Sequence, residues 1–289
     1  MRRRFALLGG SSAIVVFVAC GLELRGEGTS IGLPDGSSDG APSDVAAADQ
    51  EPPPPTPGCV VEIDDALGGI DETRWMRILD QEADSQGLPK GETVGTQSHI
   101  VLAREGLQWA RAGIFLRNAV PTNAFDIAFD FALVCLGGCA DGFAAAWLET
   151  TSEQALGNAN DAHALGIPTG VRGGAVAIDL FKNSETNDDQ TPNLQILDID
   201  PTKQPGDYDW SVQSSQTFPT IYATGHHVEL RLRSSALKLV MDGITLREGI
   251  VVPSGFEGTF GFVGATGNQT ATMVVHHLKA KFYRCDAPP

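Results

Sequence analysis

Between residues 175 and 200 the chain reads AVAIDLFKNSETNDDQTPNLQILDID, and its middle concentrates Asn183, Glu185, Asn187, Asp188 and Asp189. Carboxylates, amide oxygens and free backbone carbonyls from one loop suit a hard cation such as calcium, which takes about six to eight oxygen ligands in flexible geometry. Asp179 closes the strand-like run before this loop. Asp141 opens another run, CADGFAAAWLE, straight after a glycine turn, where its carboxylate is expected to project from the rim of a sheet. The alternative is an ordinary connection, because Asn and Asp hydrogen-bond their own backbone and are common between strands.

Other reactive residue types are scattered. The pairs His226, His227 and His276, His277 fall on strands, where neighbouring side chains point to opposite faces. A metal site there needs partners from elsewhere, so both pairs are read as structural or surface polarity. No G-x-S-x-G stands between a strand and a helix, which disfavours a serine nucleophile. Trp75, Trp109, Trp147 and Trp210 include candidates for an aromatic platform, and Trp210, inside the polar PGDYDWSVQ, is the one expected to be exposed.

Alternation supplies the elements that hold these residues. FDIAFDFAL puts Phe125, Ile127, Phe129, Phe131 and Leu133 on one face, and HVELRLR sets Val228, Leu230 and Leu232 opposite Glu229, Arg231 and Arg233. ALKLVMDGITL repeats the pattern around Asp242 and Gly243, a pair that favours a tight hairpin turn. GTFGFVGAT and TMVVHHLKAKFY add two strands, and no long amphipathic helix is present. Many strands with one apolar face each, separated by Gly and Pro, predict an all-β fold of two packed sheets, a sandwich or jelly roll. Of the cysteines, Cys59 opens this region and Cys285 closes it, while Cys135 and Cys139 flank a tight LGG turn. Four cysteines allow three pairings, and these positions favour Cys59 with Cys285 and Cys135 with Cys139. A four-cysteine zinc site needs C-x2-C spacing, which the chain lacks.

The N-terminus, MRRRFALLGGSSAIVVFVAC, carries three arginines and an apolar run shorter than a membrane span, which reads as a secretory leader over 1–19. Phe17, Val18 and Ala19 before Cys20 resemble the bacterial lipobox. That resemblance implies an acylated Cys20 and a lipid anchor to the outer membrane, with the protein facing the periplasm or the cell surface. Residues 20–57, rich in Gly, Ser, Asp and Pro, offer too little to bury and are expected to form a disordered stalk. Residues 58–287 suffice for a single β domain. A formal net charge of −16 and the lack of a basic stripe argue against nucleic acid as a partner.

The order of the motifs resembles the L-type lectins, the legume-lectin or concanavalin A-like group, over about residues 105 to 283. The pieces are FDIAFDFAL, ADGFAAAWLE, HALGIP, AVAIDLFKN, Asp188 and NLQILDID, followed by LKLVMDGITL and GFVGATG. The resemblance implies a concanavalin A-like β-sandwich in which Asp141 binds sugar hydroxyls and follows a cis peptide bond from Ala140. It implies that Asn183 holds calcium through its side-chain oxygen and offers its amide N–H to sugar. Asp179 and Asp188 would be calcium carboxylates and the Phe181 carbonyl a further ligand, with Asp189 replacing Asp188 if the loop register slips by one. Two departures stand out: the family's metal-binding Glu falls on Ala177 and its histidine on Asn193. Calcium without a transition metal is therefore expected. The glycine loop reads GNANDAHALG, so its donor to sugar is unassigned, with Asp161, Ala162 and His163 as candidates; His163 also reads as an exposed loop histidine.

The same sandwich hosts β-glucanases of the laminarinase type, whose two catalytic carboxyl groups stand about 5 Å apart. Their Glu-x-Asp-x-x-Glu pattern has its nearest match in EIDDAL at Glu62, which lacks the second Glu, and DID at 198–200 and DYD at 207–209 have no Glu partner. Hydrolysis is disfavoured. The expectation is a surface lipoprotein that binds a glycan or polysaccharide with calcium as cofactor; the alternative is a structural or adhesive sandwich that binds proteins.

Overall fold

The computed structural model of the chain describes residues 58–285 except positions 95–96, 136, 158–164, 182–191, 203–209, 218–220 and 223–224. The leader, Cys20 and the stalk lie outside the described residues.

Alternation becomes architecture most directly in β7 (Phe125–Val134), where Phe125, Ile127, Phe129, Phe131 and Leu133 are buried and the residues between them are partly exposed. β7 lies at the centre of a back sheet. Its order is β14 (Ile244–Val251), β13 (Ala236–Met241), β12 (Gly225–Arg233), β7, β16 (Thr272–Tyr283), β4 (Gln97–Ala103), β3 (Lys90–Val94), with β1 (Val60–Asp65) also paired to β16. The front sheet runs β11 (Trp210–Thr217), β10 (Asn193–Ile199), β9 (Gly173–Asp179), β8 (Gly142–Leu148), β15 (Glu257–Ala265), β5 (Arg111–Leu116), β2 (Trp75–Leu79), with β6 (Val120–Pro121) on β15. α1 (Gln81–Ser85) and α2 (Glu153–Gly157) are five residues each, and no described helix is long and apolar enough to cross a membrane.

Aromatic pairs tie the sheets together. Phe125 meets Trp147 edge-on at 5.4 Å, Phe129 meets Phe262 at 5.0 Å, and Phe131 meets Phe143 at 5.0 Å, each pair taking one ring from each sheet. Such contacts add about 0.5–1.5 kcal/mol per pair to the burial of the rings themselves. The hairpin turn between β13 and β14 takes positive φ at Asp242 (52°) and Gly243 (76°), as a tight two-residue turn requires. The disulfides join Cys59 to Cys285 and Cys135 to Cys139, the pairing favoured by their positions.

A second apolar layer covers the outside of the front sheet. Ala144, Ala146, Ala175 and Ala177 face away from the aromatic core and pack with Leu156 of α2 and with Leu165, Ile167 and Val171. β8 and β9 are therefore buried along their whole length. On the opposite, inward face of β9, a side chain at Gly174 would collide with the Trp147 indole of the aromatic core.

Candidate functional site

The front sheet ends in a rim where Asp141 and Asp179 come together. Gly142 pairs with Asp179 across β8 and β9, and Gly142, at φ 147°, lies so close to β9 that a Cβ would collide with the Ile178 carbonyl. Only glycine lets β8 begin there. The Leu180 N–H donates to the Asp141 carbonyl at 2.7 Å, and the Asp141 N–H donates to the Ala265 carbonyl at 3.0 Å. Asp141 is thus pinned between the ends of β9 and β15. The Ala140–Asp141 peptide bond is cis, as the lectin resemblance implies.

Asp179 is buried, with 6% exposure. Its Oδ1 accepts the Phe181 N–H at 3.0 Å and its Oδ2 accepts from Gln195 Nε2 at 3.3 Å. Burial pushes the Tyr222 hydroxyl above its ordinary pKa, and the nearby Asp179 carboxylate pushes it further. Directly across the ladder from Asp179 is Asn193, which is fully buried. Paired residues of antiparallel strands project on the same side, so the Asn193 amide lies beside the Asp179 carboxylate. Neither polar atom of that amide has a hydrogen-bond partner among the described residues. An unsatisfied buried amide costs about 1–3 kcal/mol, so this position calls for a partner. Calcium fits: a carboxylate, an amide oxygen and the Phe181 carbonyl are the oxygen donors such an ion takes. Sequence reasoning marked Asn193 only as a departure from the family's histidine; its burial was not legible there.

One expectation is corrected. Asp141 does not project from the rim but is only 4% exposed. The turn after β15 folds over it, and a Cβ at Gly267 would sit 3.0 Å from Asp141 Oδ2. That turn is stitched to residues 107–110. The Trp109 N–H donates to the Gly267 carbonyl at 3.2 Å, Gln108 Nε2 to the Asn268 carbonyl at 2.6 Å, and Thr266 Oγ1 to the Leu107 carbonyl at 2.6 Å. On this brace stands Trp109, 51% exposed, with φ at 55°. Trp75 and Trp147 are interior, their indole N–H groups donating to Asp65 and to the Pro253 carbonyl. The side chain of Trp210 is outside the described residues, so among described tryptophans the exposed platform is Trp109.

Arg111 anchors the neighbouring cover. Its Nε donates to the Gly166 carbonyl at 2.9 Å, and its terminal nitrogens donate to the Leu156 and Gly157 carbonyls at 2.7 and 3.2 Å. Burial lowers its pKa to about 10, still charged at neutral pH. It ties Leu156 and Gly157 to Gly166; Asp161, Ala162 and His163 fall between them in sequence. Those three residues, with Asn183, Asp188 and Asp189, lie outside the described residues. Of the glucanase-like carboxylates, Glu62 pairs with Lys281 at 3.1 Å on the back sheet, as strand polarity would have it.

No protein-family model matches the sequence, and no curated protein resembles it at the level of sequence. Solved structures do match. The exoplasmic/lumenal domain of VIP36, in a Ca2+/Man3GlcNAc-bound form, aligns at a TM-score of 0.58 with 14% identity, covering 78% of this chain and 90% of that one. Winged bean acidic lectin, complexed with methyl-α-D-galactose, aligns at 0.58 with 14% identity over 78% and 98%. The Emp47p carbohydrate recognition domain aligns at 0.56 with 14% identity over 78% and 95%. The fold is the legume-lectin, concanavalin A-like β-sandwich. At this identity the likeness speaks for the fold alone.

Proposed function

We propose that the chain is an exported lipoprotein, anchored through Cys20 to the outer membrane, whose stalk over 20–57 presents a calcium-dependent carbohydrate-binding domain. The observation that carries it is the buried Asn193 amide beside Asp179, two oxygen donors facing each other across β9 and β10 at the mouth of the 182–191 loop. Asp179, Phe181 and Asn193, with Asn183 and Asp188 from that loop, would hold the ion. Calcium, when bound, supplies positive charge that orders loop carboxylates and carbonyls around it. Asp141 and the Asn183 amide would then meet sugar hydroxyls, and Trp109 would offer a ring face to a pyranose. Support for a glycan ligand comes from the structural likeness to VIP36 and winged bean lectin, both described in sugar-bound forms.

The enclosure of Asp141 favours a second reading, an adhesive sandwich that binds proteins, because a carboxylate 4% exposed has little surface left for a sugar. Calcium calorimetry and a glycan panel, run on the full chain with and without chelator, separate the two. Calcium heat lost in Asp179→Ala, with glycan retention lost on chelation and weakened in Trp109→Ala, supports the lectin. Calcium heat without any retained glycan supports the adhesin.

A further inference from the structure

Five of the chain's six histidines, His99, His226, His227, His276 and His277, stand on the back sheet, remote in sequence from the calcium loop. His226 and His227 obey alternation: His226 is buried against Phe131 with Nδ1 2.8 Å from Asp242 Oδ2, while His227 points outward. His276 and His277 do not. The β7–β16 register shifts between His276 and Lys279, and His277 adopts φ of 53°, a bulge that turns both rings toward Asp130. Histidine is among the residues that accept this left-handed conformation.

Asp130 sits between two partner strands, paired with His227 on β12 and His276 on β16. Its Oδ2 is 2.9 Å from His277 Nδ1 and 3.9 Å from His276 Nδ1, and the two ring nitrogens are 3.3 Å apart. A tetrahedral ion with ligands at about 2.0–2.1 Å spaces those ligands roughly 3.3 Å from each other. The three atoms therefore approximate one face of such a tetrahedron. The other oxygen, Oδ1, is 2.6 Å from His227 Nδ1, a contact that orients the carboxylate as outer partners of metal ligands do. The outward side of the cluster is open, since the His277 and His227 side chains are about half exposed.

We propose that Asp130, His276 and His277 form a site for a borderline divalent transition cation, zinc foremost, with His227 positioning the carboxylate and one coordination place left to solvent. Two imidazoles and one carboxylate suit zinc better than calcium, which prefers oxygen donors. The sequence-based reading of these histidine pairs as structural or surface polarity, with no transition metal expected, turns on partners having to come from elsewhere; β7 brings one such partner, Asp130, beside them. Burial disfavours protonation of His276, Asp130 favours it, and His277 and His99, the latter on β4 next to β16, disfavour it further.

The test is titration of the full chain with Co2+, read by its visible absorption, followed by displacement with Zn2+. One tight equivalent is expected, with affinity falling at least tenfold in His277→Asn and in Asp130→Asn. Asn tolerates the left-handed backbone at 277, and that side chain is exposed, so this variant keeps the fold; Asp130→Asn keeps the side-chain shape. Asp179→Asn, which disables the front-sheet loop, should leave Co2+ binding unchanged. No visible band, or a band lost in Asp179→Asn and retained in His277→Asn, overturns the proposal.

Discussion

The two sheets share one aromatic core but use their outer faces in opposite ways. The front sheet is covered: Ala144, Ala146, Ala175 and Ala177 lie under Leu156, Leu165, Ile167 and Val171, and polar chemistry is driven to the rim at Asp141, Asp179 and Asn193. The back sheet is open, with Asp126, Asp130, Glu229, Arg231, His227 and His277 strung across adjacent strands. The difference shows how one sandwich can present two unlike groupings of polar side chains. A covered face concentrates buried, oxygen-rich donors at its ends, whereas an open face lets neighbouring strands assemble solvent-facing groups in register.

Charge placed on the covered face should test that contrast most severely. Ala144→Lys buries an unpaired ammonium with no room for it and is expected to cost on the order of 5 kcal/mol in urea denaturation. Ala128→Lys, on the open face beside Glu229 and Lys279, should change stability by less than about 0.5 kcal/mol. Equal effects would abolish the distinction between the faces.

The disulfides differ in a related way. Cys59–Cys285 fastens β1 and the end of β16 across a separation of 226 residues, while Cys135–Cys139 closes a separation of 4 near the rim. On loop-closure entropy the first contributes about 5 kcal/mol and the second about 2, so paired Cys→Ser variants should lose stability in that order. Next in size is Arg111→Ala. Losing three hydrogen bonds from a buried guanidinium should cost about 3 kcal/mol, and limited proteolysis should speed up within 153–171 while the back sheet stays protected.

A smaller, pH-dependent effect is expected on the open face. Burial raises the Asp126 pKa, but hydrogen bonds from Arg233 and Tyr283, with the charges of Arg233 and Arg231, outweigh it and hold the carboxyl below its usual range. A depressed folded pKa gives stability that is present above the unfolded value and lost as pH falls through the folded one. Asp126→Asn should therefore cost about 1 kcal/mol at pH 7, with the gap to the unmodified chain closing below about pH 4. A gap that stays constant with pH would show that the residue acts through shape alone.

Legibility in the sequence followed the same division. β7 and β12 announced themselves because one face meets the core and the other meets water, so apolar residues recur at every second position. β8 and β9 gave no alternation, since both faces are buried and the residues are small. At the rim, the order of motifs singled out Asp141 and Asp179, which the pairing of β8 with β9 brings together. The enclosure of Asp141 did not show, because the turn at Gly267 that covers it lies more than a hundred residues away. The histidine cluster was read as surface polarity by a rule that holds at His226 and His227 and fails at His276 and His277, where a bulge breaks the period.

By itself the sequence determined which strands have two unlike faces, where the tight Asp242–Gly243 turn falls, which cysteine pairing is favoured and which stretches gather oxygen donors. These depend on local chemistry and on the two-residue period of a strand. Tertiary structure alone decided that β12, β7 and β16 are neighbours, that Asn193 faces Asp179 in the interior and that Asp130 meets three imidazoles. Those facts come from strand pairing between distant segments and from one bulge in register, which no short window of residues encodes.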